Sequence, residues 1–336
     1  MRLQGGWFRI GLALALLPLP AEAHVKWFAP YDVPAQPMPL LSVFSPTFIE
    51  LFLAGLVTFT AVCLFDRTPL GAAVARGVDS LCATMRERSE SWYRAGTGAF
   101  FIALFTLGDI ILTPELKTDV AAVPWLQAAI ALGMVWRTTM PLSAAGIIAL
   151  YAYGVEKYGI FHLLDYPIFV ALAFYLAMTS LNLRLGSLRP IDVARWGAAI
   201  TLIWASVEKW AYPQWTYPVL AAHPDIGFNL SPTFYMEAAG FMEFSLAFAL
   251  LWTPLVRGLA AAVLAFMFVA AVFDFGKIDA IGHSMIVVML ITVGADNAPV
   301  SARPALLAPV AYAAVLALDL AVYYGLHALI YGTRIW

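Results

Sequence analysis

Ten apolar stretches follow one another along this chain, and they limit its fold class more than any other feature. Each is long enough, alone or with its flanks, to form a membrane helix, which needs roughly 20 residues. Hydrophobic residues make up 62% of the sequence and its mean hydropathy is +0.82, far above a soluble globular domain. We therefore predict an all-α, polytopic transmembrane helix bundle of about ten spans. The stretches cover roughly 45–65, 95–112, 123–136, 141–155, 167–183, 196–210, 233–252, 258–274, 281–294 and 305–331.

The first 23 residues have the pattern of a secretory signal peptide. Arg2 and Arg9 flank a polar start, an apolar run covers 10–17, and Ala21-Glu22-Ala23 matches an A-x-A cleavage site. Cleavage there leaves His24 as a mature N-terminus that faces the bacterial periplasm. The alternative is an uncleaved anchor, although about 10 apolar residues are few for a span.

The distribution of Lys and Arg supports this topology in the bacterial inner membrane. With His24 outside, eleven of the 19 basic residues fall inside, six fall outside, and two belong to the signal peptide. Merging 123–155 into one span would move Arg184, Arg189 and Arg195 outside and spoil the bias. A net charge of −2 gives no electrostatic case for nucleic acid, so the predicted partner is the lipid bilayer.

The remaining segments are assigned from their composition. Residues 24–44 form a periplasmic N-terminal segment rich in Pro and aromatics, and 305–336 hold the last helix and the C-terminus. The inside loop 66–94 has the spacing of an amphipathic helix on the inner leaflet. Its apolar stripe consists of Val74, Val78, Leu81, Cys82 and Met85.

The sequence also contains an internal repeat. Residues 107–114 align with 206–213, 125–129 with 235–239, and 158–170 with 275–287, which pairs Asp109 with Glu208. We therefore predict two four-helix repeats, 95–185 and 194–294. Both begin inside, so they are parallel repeats related by an axis along the membrane normal.

The second repeat resembles the DoxX-like family of four-helix membrane proteins. The resemblance rests on Glu208-Lys209 at the end of the first helix, Glu243-Phe-Ser-Leu-Ala-Phe-Ala-Leu-Leu in the second, and Gly282-His283 opening the fourth. It implies quinone-coupled oxidation of sulfur compounds or redox homeostasis, with a quinone and a redox partner subunit. The chain departs from the usual single quartet by its degenerate first copy, its N-terminal segment and its tenth helix.

Ionisable residues at membrane depth supply the candidate site residues, because each costs roughly 2.5–3.5 kcal/mol to insert and usually marks a pathway or a site. Glu208 and Glu243 are predicted to exchange protons, and Glu243, about 15 Å into its span by helix rise, is either protonated or paired across helices. For Glu208-Lys209 the alternative is structural, with Lys209 directed outward and Glu208 bonded to a neighbouring helix. The full candidate set is Glu208, Lys209, Glu243, Asp109, Glu156, His283 and Asp279.

Two further patterns leave the function open. A mature His24 offers its amine and its Nδ1 to one metal, which suits copper, with His162, His223 or His283 as a third ligand. That pattern predicts a transporter or metal-handling protein instead of a redox component, and an assembly subunit is a third option. Asp319, Tyr323 and His327 recur at every fourth position of the last helix, as either a proton wire or interhelical hydrogen bonds.

Overall fold

The fold is a bundle of α-helices, seen in a computed structural model that describes residues 25–298 and 307–336. The predicted signal peptide, His24 and residues 299–306 lie outside the described residues. Two 3₁₀ turns, Val25–Trp27 and Pro213–Trp215, accompany the helices, and the described ranges contain no strand. The helices are α1 (Leu40–Val43), α2 (Pro46–Phe65), α3 (Pro69–Glu87), α4 (Ser89–Leu107), α5 (Ala122–Gly133), α6 (Met140–Tyr158), α7 (Ile160–Leu163), α8 (Pro167–Leu181), α9 (Pro190–Ala211), α10 (Tyr217–Ala222), α11 (Pro232–Ala249), α12 (Pro254–Ala295) and α13 (Leu307–Tyr331).

Each of the ten predicted apolar stretches falls on one of these helices. Many of the helices begin with a proline in the first turn, where its missing N–H leaves no bond unmade. Among the described residues, three helices, α2, α12 and α13, are long and apolar enough to cross a membrane. The chain is thus an all-helical membrane protein.

Helix α9 lies at the centre of the bundle and fixes the position of the later site residues. It packs against α8 and α11 along most of its length, and also contacts α12 and α13. Small residues at the α8 contact allow this closeness, because a Cβ on Gly197 would overlap the Ala171 side chain. The carboxyl end of α9 carries Glu208 and Lys209, so this packing determines where both side chains lie.

Helix α12 is a hairpin of two arms that are joined at Gly276. This glycine has φ 71° and ψ −150°, a backbone conformation essentially confined to glycine. The arms run antiparallel, since Gly258 near the start approaches Gly294 near the end and the Phe268 and His283 rings are 4.6 Å apart. The 42-residue element therefore covers both predicted stretches, 258–274 and 281–294.

An ion-pair network of Arg189, Arg257 and Asp296 connects helices α9 and α12. None of the three residues lines the cavity described below. Asp296 accepts hydrogen bonds from both terminal nitrogens of Arg189, at 2.9 and 2.8 Å, and from Arg257 at 2.7 Å. Arg257 is fully buried, so its guanidinium depends on these partners. The network joins the start of α9 to both ends of the α12 hairpin.

The first described residues, Val25–Pro39, lie on the end of the bundle where α9 ends. From here on, the name N-terminal segment refers to these residues only. The Met38 N–H donates to the Ala211 carbonyl at 2.9 Å, and the Tyr212 hydroxyl donates to the Ala35 carbonyl at 2.8 Å. His327 Nε2 lies 2.8 Å from the Val33 carbonyl oxygen. These hydrogen bonds fix the course of the segment over the bundle, and this course places the Lys26 side chain inside the bundle.

Candidate functional site

A cavity of about 80 Å³ lies beneath the N-terminal segment, at the end of α9. Its walls come from the 3₁₀ turn at Val25–Trp27, the start of α8, the carboxyl-terminal half of α9, the α11 helix and the α12 hairpin. At roughly 10–15 Å³ for each water-sized group, it has room for about five to eight such groups. The ionisable side chains in its lining are Asp165, Glu208, Lys209, Glu243 and His283, together with the Tyr166 and Tyr212 phenols.

Lys26 supplies the central positive charge of this site. Its Nζ donates to Asp165 Oδ2 at 2.5 Å and to Glu208 Oε1, although the two carboxylates are far apart in sequence. Trp204 Nε1 donates to the other oxygen of Asp165 at 2.9 Å and so fixes that carboxylate. Lys26 is only 4% exposed, which is rare for a lysine and requires such partners.

The electrostatics of this ion-pair triad follow from burial and from mutual charge. Burial alone would lower the pKa of Lys26, but Asp165 and Glu208 together raise it above its ordinary value. Burial, followed by the charge of Glu208, raises the pKa of Asp165 well above its ordinary value, although Lys26 opposes this. With one lysine between two carboxyl groups, Asp165 therefore holds its proton more readily than an exposed aspartate does.

A third buried acid, Glu115, lies next to this triad. Tyr166, which also lines the cavity, donates its hydroxyl to Glu115 Oε1, while Oε2 has no hydrogen-bond partner in the described part of the chain. Burial raises the pKa of Glu115. His162 Nε2 lies 3.9 Å from Oε1, yet burial and then Lys26 lower the pKa of His162 to about 3, so this imidazole stays neutral.

Lys209, Glu243 and His283, which also line the cavity, belong to two more acid–base pairs. Lys209 Nζ donates to Glu243 Oε2 at 2.6 Å, which joins α9 to α11. In the second arm of α12, His283 Nδ1 lies 3.1 Å from Asp279 Oδ1 one turn earlier. The contact does not have hydrogen-bond geometry, because His283 Nδ1 and both Asp279 oxygens lack a hydrogen-bond partner among the described residues, so Asp279 acts on the imidazole through its proximity alone.

His283 is also held between two aromatic rings. Its centroid lies 4.7 Å from that of Trp27 and 4.6 Å from that of Phe268. The Trp27 ring fills the space beside Gly282, where a Cβ would overlap its six-membered ring. The residue beside His283 thus has to be small for the N-terminal segment to sit where it does.

The structure brings together five of the seven predicted site residues. Glu208, Lys209, Glu243 and His283 line the cavity, and Asp279 supports His283. Glu243 is paired across helices, one of its two predicted states, and Glu208 is bonded to the N-terminal segment.

Asp109 and Glu156 lie elsewhere. Asp109 pairs with Lys117 at 2.9 Å in solvent, where its side chain is 57% exposed, and Glu156 is exposed. Neither lines the cavity, because the end of α4 and the end of α6 lie at the bundle rim.

The histidines and the last helix were also singled out by the sequence. His24 lies outside the described residues, and His162 contacts Tyr31 and Glu115 without lining the cavity. In α13, His327 has interhelical partners in Tyr212 at 2.8 Å and the Val33 carbonyl. The Tyr323 hydroxyl and Asp319 Oδ2 have no hydrogen-bond partner among the residues described.

Sequence reasoning missed Lys26, Asp165 and Glu115 as site residues. Each lies in a short connection outside the apolar stretches, where a charge has no insertion cost to draw attention to it. The available signal was the aromatic context of Lys26 in Val25-Lys26-Trp27-Phe28, since a lysine among apolar residues tends to bury its stem.

Comparison of this chain with protein-family models, with curated proteins and with solved structures finds no match. The resemblance of 194–294 to the DoxX-like family therefore stays a prediction.

Proposed function

We propose that this chain is an inner-membrane redox component that binds the head group of a quinone in the cavity and exchanges protons with it. The observation on which this proposal rests is one cavity that combines apolar walls with several acidic and basic side chains. Phe169, Phe268 and Ile286 provide apolar surface, while Glu243, Glu208 and His283 provide the polar contacts. The volume of the cavity, about 80 Å³, suits the head group of a quinone, which is a six-membered ring with two oxygens.

The proton chemistry of a quinone matches these groups. Interconversion of quinone and quinol moves two electrons and two protons, so each turnover needs two proton carriers near the two oxygens. His283, held between the Trp27 and Phe268 rings and close to Asp279, is one candidate carrier, and the Lys209–Glu243 pair is the other. A redox partner subunit would exchange the two electrons.

The site would lie at the periplasmic edge of a ten-span bundle made of two parallel repeats. Gly159 and Gly276, which align in the sequence, have similar backbone angles, φ 86° and ψ 154° against φ 71° and ψ −150°. The contacts are also reciprocal, because the end of each half packs on the start of the other: α8 on α9, and α12 on α4. Both observations support two related halves, and the doubled DoxX-like unit is proposed from the sequence resemblance of 194–294.

The test is the quinone content of the protein purified in a mild detergent. We expect solvent extraction and chromatography to recover about one quinone per chain from the wild type. Glu243→Gln should lower that content at least about tenfold, since a hydrogen bond to a charged group contributes about 1.5–3 kcal/mol. Glu156→Gln, at an exposed acid outside the cavity, is the matched control. A wild type without quinone, or equal content in both variants, would refute the proposal.

A metal-handling function is the second candidate, and one observation favours it. Val25, which follows His24 directly, lines the cavity together with His283 and Glu243. Within 25–298 and 307–336 no group of three or more His, Cys, Asp or Glu side chains is placed to hold a metal, so this function depends on His24. Stoichiometric copper that is lost in His24→Ala would support it; copper-free protein with bound quinone would exclude it.

A further inference from the structure

The environment of the Lys26 ammonium group is built almost wholly by the bundle. Asp165 comes from the connection before α8, Glu208 from the end of α9, and Trp215 from the 3₁₀ turn that follows. Trp204 of α9 holds Asp165 in place. Lys26 itself belongs to the N-terminal segment, which lies across the end of these helices.

The contacts around Nζ have the chemistry of an ammonium site. Two carboxylates accept from it, and the Tyr31 and Trp215 ring centroids lie 5.8 and 5.5 Å away, within the range of cation–π attraction. Nearby, the Glu115 carboxyl is also buried, and its Oε2 has no hydrogen-bond partner among the described residues. The bundle therefore places three carboxyl groups around one lysine, more than a single ammonium group can bind at once.

We propose that Asp165, Glu208 and the Trp215 ring form a binding site for a primary ammonium group. The Lys26 side chain of the same chain occupies this site, and a free primary alkylammonium ion binds there when the Lys26 side chain is displaced. The proposal concerns the triad and does not depend on a quinone in the neighbouring cavity.

The geometry also defines which cations the site selects. Both carboxylates receive N–H donors from one nitrogen, while the aromatic faces contact the charge from another side. A quaternary ammonium ion has no N–H to donate, and it is too wide for a nitrogen held 2.5 Å from a carboxylate oxygen. We therefore expect discrimination between propylammonium and tetramethylammonium.

Occupancy of this site is coupled to the cavity through the chain. Val25 and Trp27, on either side of Lys26, both line the cavity. A soluble amine that displaces Lys26 would remove these two walls, and by linkage anything that binds the opened cavity would favour the amine.

The first experiment is chemical rescue of Lys26→Ala, which removes the atoms from Cγ to Nζ, the size of propylammonium. We expect propylammonium chloride to raise the melting temperature of this variant saturably, while tetramethylammonium chloride at equal ionic strength does not. Adding Glu208→Gln should weaken the apparent affinity at least about tenfold, because it removes a hydrogen bond to a charged group. Lys277→Ala, which removes an exposed lysine, is the control and should show no selective response.

A second measurement covers the case in which Lys26→Ala does not fold. In the wild type, propylammonium should increase amide hydrogen exchange in the N-terminal segment Val25–Pro39, and tetramethylammonium should leave it unchanged. Selective binding in either experiment, with no dependence on bound quinone, supports the ammonium site. Equal responses to both cations, or none in the folded variant and none in the wild type, overturn it.

Discussion

The fit of Trp27 beside Gly282 gives the sharpest test of how the N-terminal segment is held. Gly282→Ala adds one methyl group at a position that the Trp27 ring already occupies. The ring is rigid and its neighbour Lys26 is held by two carboxylates, so the clash is relieved only if the segment shifts. Such overpacking costs about 1–3 kcal/mol.

A matched substitution separates this clash from the general effect of alanine in a helix. Gly325 in α13 is also helical, and nothing outside its own helix lies within 4 Å of an added Cβ. Gly325→Ala should stabilise the protein by about 0.5–1 kcal/mol, because glycine loses more backbone entropy on folding. The difference between the two variants therefore isolates the Trp27 contact, at about 1–3 kcal/mol.

The assay is thermal unfolding of both variants in the same detergent, together with hydrogen exchange of Val25–Pro39. We expect Gly282→Ala to melt below Gly325→Ala and to exchange faster in the segment. If the two variants melt together with unchanged exchange, Trp27 does not occupy the space beside Gly282, and the reasoning about the segment fails.

Two further predictions concern buried charges. Because burial raises the pKa of Glu115, the folded state keeps a proton that the unfolded state releases above about pH 4.5, so this acid costs stability as pH rises. Glu115→Gln should thus reduce the loss of unfolding free energy between pH 5 and 8, while exposed Glu156→Gln should not. Asp296→Ala should cost about 3–5 kcal/mol by leaving buried Arg257 without its carboxylate, against about 0–1 kcal/mol for Asp79→Ala in a half-exposed pair, both by chemical unfolding. An equal pH slope, or equal costs, would contradict these assignments.

The helices could be predicted from the sequence because apolar stretches are a local signal. Each of the ten stretches falls on a helix, and Gly159 and Gly276 each mark a turn between two neighbouring stretches. Glu208, Lys209, Glu243 and His283 were found for a related reason, since an ionisable residue inside an apolar run or at its end stands out.

The remaining site residues, Lys26, Asp165 and Glu115, could be identified only from the tertiary structure. The aromatic context of Lys26 indicates at most that its stem is buried, and it does not identify Asp165 and Glu208 as partners, because both are far away in sequence. Asp109 and Glu156 show the converse limit: the same local pattern of an acid after an apolar run also occurs at the exposed rim. Which acids face the cavity depends on helix packing, and a linear pattern does not contain that information.

The sequence separation between Lys26 and its two partners also determines when the site can form during synthesis. Its contacts span 139 residues to Asp165 and 182 residues to Glu208, so Lys26, which is synthesised before both partners, makes the full set of contacts only after α9 has emerged. Long loops close slowly, and until then the Lys26 ammonium group lacks at least one of its two carboxylates. A chain that stops before α9 could never pair Lys26 fully, which leaves an unneutralised charge as the mark of an incomplete protein.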